Sequence, residues 1–387
     1  MLYIAYFFLI GGALFLAWSN GANDNFKGVA TLYGSGTVGF RRALVWTTVA
    51  TLLGSSVSVI LARSLTIAFS GKALLPETAL GPALLGATGT AAAITIFLAT
   101  VLGMPTSTTH ALTGSLVGAG LAATGPAAID WHLLATKFAQ PLLLSPVLAV
   151  TITAIVYALL SSWRRRLAVA DGSCVCIAEN TPAPMGLPAD GVAVMAPVEG
   201  RNPLEIGVGL PHECAERYPG KVLGLRARWL VDVVHYISAA AVCFARAVND
   251  TPKIAALLLG ATALTGGVPT AVPLALVALV MALGGWLQSR RVAETMWHEI
   301  TDLNPGQGLT ANLMTAALVL GASRLGLPVS TTHVSCGSLF GIGLVSGGGH
   351  RKTILQILAT WVTTLPVALL LGFAIFTSFS IFGVTGR

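Results

Sequence analysis

The sequence predicts an all-α polytopic membrane protein built from two inverted repeats, with broken helices and re-entrant hairpins. Three observations predict it: a composition poor in charge, apolar stretches of membrane-spanning length, and two motifs that each occur twice. Of 387 residues, 55% are hydrophobic and 10% charged, too few charges to clothe a soluble surface. A helix needs about 20 apolar residues to cross a bilayer core. Such stretches recur at 3–18, 43–62, 83–102, 142–160, 229–248, 268–287, 311–322 with its continuation, and 354–377. Strand-like alternation is absent, and helices satisfy their own backbone in lipid. The chain is therefore expected in the cell membrane as a multi-pass protein, in contact with lipid.

The first stretch lacks the basic flank and the small-residue cleavage site of a signal peptide, so it reads as a retained first helix. Next comes "NGANDNFKGVA", which places Asp24 and Lys27 one helical turn apart among glycines. Gly21, Gly28, Gly34 and Gly36 around this pair favour an interrupted helix whose backbone faces a cavity. The stretch at 83–102 leads to "MPTSTTHALTGSLVG", starting at Met104. Pro105 disfavours a continuous helix and Gly114 follows one short helix later, the pattern of a re-entrant hairpin.

Residues 164–228 break the pattern. They are rich in Pro, Gly and charge and hold no stretch of spanning length. They divide the chain into an N-terminal membrane repeat (1–163), a central loop (164–228) and a C-terminal membrane repeat (229–387). The net charge of +7 is spread over short basic clusters, the heaviest at 164–166 and 221–228. Positive-inside bias explains them better than nucleic-acid binding, and it places the central loop in the cytoplasm. In this loop Cys174, Cys176, His212 and Cys214 form C-x-C followed by H-x-C. The spacing matches no familiar zinc site, and a reducing cytoplasm disfavours a disulfide. Cys243 and Cys336 fall in apolar segments, as small packing residues do.

The C-terminal half repeats the first. "NDTPK" at Asn249 to Lys253 answers "NDNFK" at Asn23 to Lys27, and "LPVSTTHVSCGSLFG" at Leu327 to Gly341 answers the hairpin segment. Asp24 and His110 are 86 residues apart; Asp250 and His333 are 83 apart. Two motifs in one order at nearly equal spacing indicate duplication. Pro252 within the second pair, and Pro328 with Gly337 in the second hairpin, again favour interruption. An odd number of crossings between equivalent points makes the repeats inverted, and that arrangement is expected of a secondary transporter.

The duplicated polar residues carry the chemistry. Ser107, Thr108, Thr109 and Ser330, Thr331, Thr332 supply hydroxyls at two helix starts, where backbone N–H groups and the helix dipole favour an oxyanion. The bland alternative is that they only cap helices or bond to backbone carbonyls. His110 and His333 could bond the anion, gate protons, or pin the hairpins in place. Asp24 and Asp250 are expensive at membrane depth and therefore default to function. With Asn23 and Asn249 they offer hard oxygen ligands. Lys27 and Lys253 could neutralise their aspartates, face an anion, or snorkel to the interface. An intramembrane enzyme is disfavoured, since no nucleophile elbow, zinc helix or nucleotide loop appears. A passive channel fits buried charge pairs poorly.

These residues resemble the inorganic phosphate transporter (PiT) family. "GANDNFKGVATLYGSG" and "EITDLNPGQGLTANL" match it too, and the resemblance covers roughly 5–160 and 229–380. It implies an inverted-repeat permease working by alternating access, with no cofactor. The anion would be held by Ser107, Thr108, Thr109, Ser330, Thr331 and Thr332. Coupling cations, sodium or protons, would be held at Asn23, Asp24, Asn249 and Asp250. Inorganic phosphate is the implied substrate. Sulfate or a related oxyanion is the alternative, and a homodimer is left open. One departure stands out: the family usually carries Asn-Asp-x-x-Asn, and here Lys27 and Lys253 take the last position. An ammonium in each place either substitutes for the bound cation or leans toward the anion.

Overall fold

In the computed structural model, the described residues are 2–34, 38–166, 174–178, 205–209, 221–222, 225–265, 269–296, 303 and 305–385. The chain forms two compact units, one of Met1–Tyr157 with Tyr236–Arg387 and one of Ala158–His235. In the first half, α1 (Leu2–Asp24) ends at the acidic residue, a turn follows, and α2 (Ala30–Gly34) is short. Next come α3 (Phe40–Leu61), α4 (Arg63–Phe69), α5 (Pro82–Val101) and α6 (Thr108–Thr124). A turn at Trp131–Leu133 and a wider-wound stretch at Leu134–Ala139 lead into α7 (Gln140–Arg166). The second half has α8 (Ala227–Thr265), α9 (Ala271–Gln288), α10 (Arg290–Glu294), α11 (Pro305–Arg324), α12 (Thr331–Ser346) and α13 (Arg351–Ile381).

Six helices are long and apolar enough to cross a membrane among the described residues. Their exposed faces carry large apolar side chains, such as Leu355, Val362 and Leu370 on α13 and Leu279 and Leu283 on α9. So much apolar surface on one body needs lipid around it. The expected break after Asp24 is present. The break expected at Pro252 is not, because α8 runs through that proline without ending. Proline removes one backbone hydrogen bond, and the helix formers of "KIAALLLGATAL" carry the helix on. The unit of Ala158–His235 contains two short antiparallel pairs. One pairs Cys174–Ala178 with Glu205–Gly209, the other Lys221–Val222 with Leu225–Arg226.

Both predicted hairpin turns form. Residues 102–107 separate α5 from α6, and 325–330 separate α11 from α12. The two short helices meet N-terminus to N-terminus at mid-height of α13. There the rings of His110 and His333 lie 4.6 Å apart, and His333 stacks on Trp361 at 3.9 Å. From that point α6 runs beside the later part of α13, with Gly118 against Leu369, while α12 touches the first part of α13 through Phe340 and Trp361 across an apolar groove. Gly118 and its counterpart Gly341 permit close approaches. A methyl group on Gly118 would collide with the Leu369 backbone on α13, and one on Gly341 would collide with Val150 O on α7, 2.5 Å away. Each helix that follows one hairpin thus packs against the short helix of the other.

Candidate functional site

The junction of α6 and α12 gathers the duplicated polar residues into one buried cluster. Ser107 and Ser330 are N-caps, accepting from the His110 N–H at 3.1 Å and the His333 N–H at 3.2 Å. The capping alternative therefore holds for the serines. The first threonine of each segment faces a carboxylate: Thr108 lies 3.5 Å from Asp24 Oδ2, and Thr331 lies 3.3 Å from Asp250 Oδ2. Two helix N-termini that face each other present like partial charges, and an aspartate at each offsets them.

The second threonines face the lysines, across the halves. Lys27 Nζ bonds Asp24 Oδ1 and the hydroxyl of Thr332. Lys253 Nζ lies 3.4 Å from Asp250 Oδ1, 2.8 Å from Thr109 Oγ1 and 2.9 Å from Val329 O. Each lysine pairs with the acid of its own half and reaches the equivalent hydroxyl of the other half. The crossing continues in the hydroxyls. Thr109 donates to Val329 O at 3.0 Å, and Thr332 donates to Thr106 O. Both ion pairs are almost wholly buried, with side-chain exposures of 2% or less. Neither lysine snorkels.

The asparagines tie the hairpin turns to the helices that carry the acids. Asn23 Nδ2 donates to Thr100 Oγ1 and Met104 O, both at 3.0 Å, and Asn23 Oδ1 accepts from Thr106 N at 3.1 Å. Asn249 Nδ2 donates to Val329 O at 3.2 Å, and Asn249 Oδ1 accepts from Ser323 at 3.1 Å. His110 Nδ1 lies 2.9 Å from Ser107 Oγ, and the stacking of His333 on Trp361 pins the second hairpin to α13. Cys243 and Cys336 are buried packing residues. Of the C-x-C and H-x-C group, Cys174 and Cys176 lie on a strand, while His212 and Cys214 fall outside the described residues.

Sequence reasoning passed over two residues at the centre. Asn20 stands four residues before Asp24, and Arg246 four before Asp250. Asn20 Nδ2 lies 3.1 Å from Asp24 Oδ2, 3.3 Å from Asp250 Oδ2 and 2.8 Å from Thr108 Oγ1, so it bridges both acids. Arg246 Nη1 donates to Asn20 Oδ1 at 3.0 Å and fixes which way that amide faces. The same repeat comparison that paired the aspartates would have aligned these two positions; unlike residues hid them. Beside Arg246 and Lys27 is a cavity of about 10 Å³, near the minimum for one water.

A model of a family described as the phosphate transporter family matches residues 20–372. An inorganic phosphate transporter of the chloroplast in Arabidopsis thaliana is 28% identical over 91% of this chain and 68% of its own length. A putative phosphate permease of Thermococcus kodakarensis is also 28% identical, over 95% of this chain and 96% of its own. A probable low-affinity inorganic phosphate transporter of Mycobacterium tuberculosis is 25% identical over 93% and 74%. One solved structure, of a sodium-dependent phosphate transporter, shares the fold: its TM-score is 0.74 at 21% identity, covering 98% of this chain and 99% of that one.

Proposed function

The chain belongs to the phosphate transporter family, and from that premise we propose that it moves inorganic phosphate by alternating access at the junction of α6 and α12. The observation that carries this reading is the reciprocal lysine contact. Lys27 reaches Thr332 and Lys253 reaches Thr109, so each half completes the polar cluster of the other. A rocking of the halves would exchange these contacts and open the cluster to one side at a time. The opposed directions of α6 and α12 support inverted repeats. The anion is held by Ser107, Thr108, Thr109, Ser330, Thr331 and Thr332, the serines acting through the helix starts they cap.

Phosphate is favoured over sulfate by the carboxylates. Each lysine engages Oδ1 of its aspartate, while both Oδ2 atoms lie within 3.3 Å of Asn20 Nδ2 and face the hydroxyls of Thr108 and Thr331. An oxygen so placed can accept from P–OH, which sulfate lacks. Coupling is assigned to the same residues. The ammonium groups of Lys27 and Lys253 occupy nests of carboxylate, hydroxyl and carbonyl oxygens of the kind a small hard cation takes. They stand in for coupling cations beside Asp24 and Asp250, while the side-chain oxygens of Asn23 and Asn249 accept from Thr106 N–H and Ser323. The test is uptake by purified protein in liposomes, with labelled phosphate and sulfate in parallel and with sodium and proton gradients imposed separately. Phosphate uptake exceeding sulfate uptake is expected; sulfate uptake alone would overturn the substrate assignment.

A further inference from the structure

One face of the fold is left open between α7, α12 and α13. The groove there has a volume of about 610 Å³. Val147 and Val150 of α7, Phe340 and Leu344 of α12, and Ile354 and Leu358 of α13 line it, and Gly343 and Gly347 leave one wall low. Arg351 stands at one end of the α13 wall and Trp361 at the other. These two are ten residues apart on the helix. That is a rise of about 15 Å, half the thickness of a bilayer's hydrocarbon core. The groove thus runs from one membrane surface to the level of the hairpin junction, one leaflet deep. An apolar cavity of about 150 Å³ takes one benzene ring, so this groove has room for one long hydrocarbon chain.

An apolar lining alone would not select its occupant, because lipid tails are as apolar as leucine. Selection comes from the charged end. Arg351 is exposed and, among the described residues, makes no ion pair. Lys352 follows it, and α13 opens there with an N-cap, His350, whose side chain makes no capping bond. Residues 140–166 and 331–387, which supply every wall, hold no aspartate or glutamate. A phosphate group at that end therefore meets an arginine fork and a helix start, with no carboxylate on the walls to repel it. Basic residues gather on the cytoplasmic side of a membrane, where the leaflet is rich in anionic lipid.

We propose that this groove binds one anionic phospholipid of the surrounding bilayer, with its phosphate on Arg351 and one acyl chain along α13 as far as Trp361. The bound chain braces the second hairpin. Trp361 carries the His333 ring at 3.9 Å and the Phe340 ring at 5.9 Å, both on α12. A chain packed against Trp361 holds these contacts in place. The binding stands on the groove and its charge; its effect on uptake rests on the transport reading above.

The test is native mass spectrometry of the purified full chain in detergent, with dioleoyl phosphatidylglycerol and dioleoyl phosphatidylcholine added in equal amounts. The two share their chains and differ in head-group charge. One phosphatidylglycerol per chain is expected to be retained, roughly fivefold or more over phosphatidylcholine. Arg351→Gln should bring the two lipids near parity. Val147→Trp, at a position 58% exposed on the groove wall, should fill the groove and lose the retained lipid. Leu344→Trp, 72% exposed on the α12 wall, replaces it should that variant fail to fold. Equal retention of the two lipids by the unmutated protein, an unchanged preference in R351Q, or full retention in a folded tryptophan variant would overturn the inference. So would a dimer that holds no lipid and comes apart in V147W, which would give the groove to a second copy of the chain. In liposomes, phosphate uptake is expected to be several-fold faster when phosphatidylglycerol is added to phosphatidylcholine, and R351Q should lose that gain. Uptake alike in both bilayers would overturn the bracing of the hairpin. Lipid retained as expected, with no phosphate uptake in either bilayer, would overturn the transport reading and leave the lipid site standing.

Discussion

Because Ser107 and Ser330 accept from the N–H groups of His110 and His333, their oxygens are committed to the helix starts, while the next hydroxyl along each segment faces a carboxylate. The two positions should therefore respond differently to loss of the hydroxyl. Thr108→Ala and Thr331→Ala are expected to weaken phosphate binding by about 1–3 kcal/mol, the range for a buried hydrogen bond. Ser107→Ala and Ser330→Ala should cost about 1 kcal/mol of stability as lost caps, with a smaller change in affinity. Calorimetry and thermal melting in detergent separate the two effects; equal losses of affinity at all four positions would contradict the division. The duplicated Ser-Thr-Thr-His was legible because both copies are identical. Which oxygen turns inward was not, since that depends on where α1 and α8 place their acids. Arg246 and Asn20 escaped notice for a related reason: duplication is read from identical residues, and here equivalent positions carry different ones.

At the scale of elements, proline was a reliable sign only where other features agreed with it. Pro105 and Pro328 each precede a serine cap and follow the end of a long apolar helix, and both mark real turns. Pro252 follows Asn249, Asp250 and Thr251 but has a run of helix formers after it, and it interrupts nothing. The hairpins were thus legible in the sequence and the course of α8 was not. The glycines of the short helices were visible as well, but their purpose needed the third dimension. Gly118 meets the Leu369 backbone on α13, while a methyl group added at Gly11, on α1, would have nothing within 4 Å. Gly118→Ala is expected to push α6 from α13 and lower stability by about 1–3 kcal/mol, the usual cost of overpacking. Gly11→Ala should be neutral or slightly stabilising, since alanine is the better helix former. Thermal melting of the two variants in one detergent checks this; equal melting temperatures would mean that the α6–α13 contact is slack.

At the scale of the whole molecule, the lysines are what one half extends into the other. Lys27 belongs to the first half and bonds Thr332 of the second; Lys253 belongs to the second and bonds Thr109 of the first. Each also neutralises an aspartate that would otherwise be an unpaired buried charge. Removing one partner of such a pair typically costs about 3–5 kcal/mol. Replacing both lysines by asparagine leaves Asp24 and Asp250 unpaired inside oxygen-rich nests. K27N/K253N is therefore expected to melt at lower temperature than the unmutated protein in choline, and to recover part of the loss in sodium, which would fill the vacated positions. Transport should follow the same logic. Uptake of phosphate by the unmutated protein in liposomes should be alike in sodium and in choline, because the cations are already covalently in place. Uptake by the double variant should require sodium. The single variant K27N should show an intermediate dependence, since Lys253 still serves its own acid. Strong sodium dependence in the unmutated protein would refute the substitution of ammonium for cation. It would leave the lysines as a staple between the halves, holding hydroxyls that must be released in each cycle.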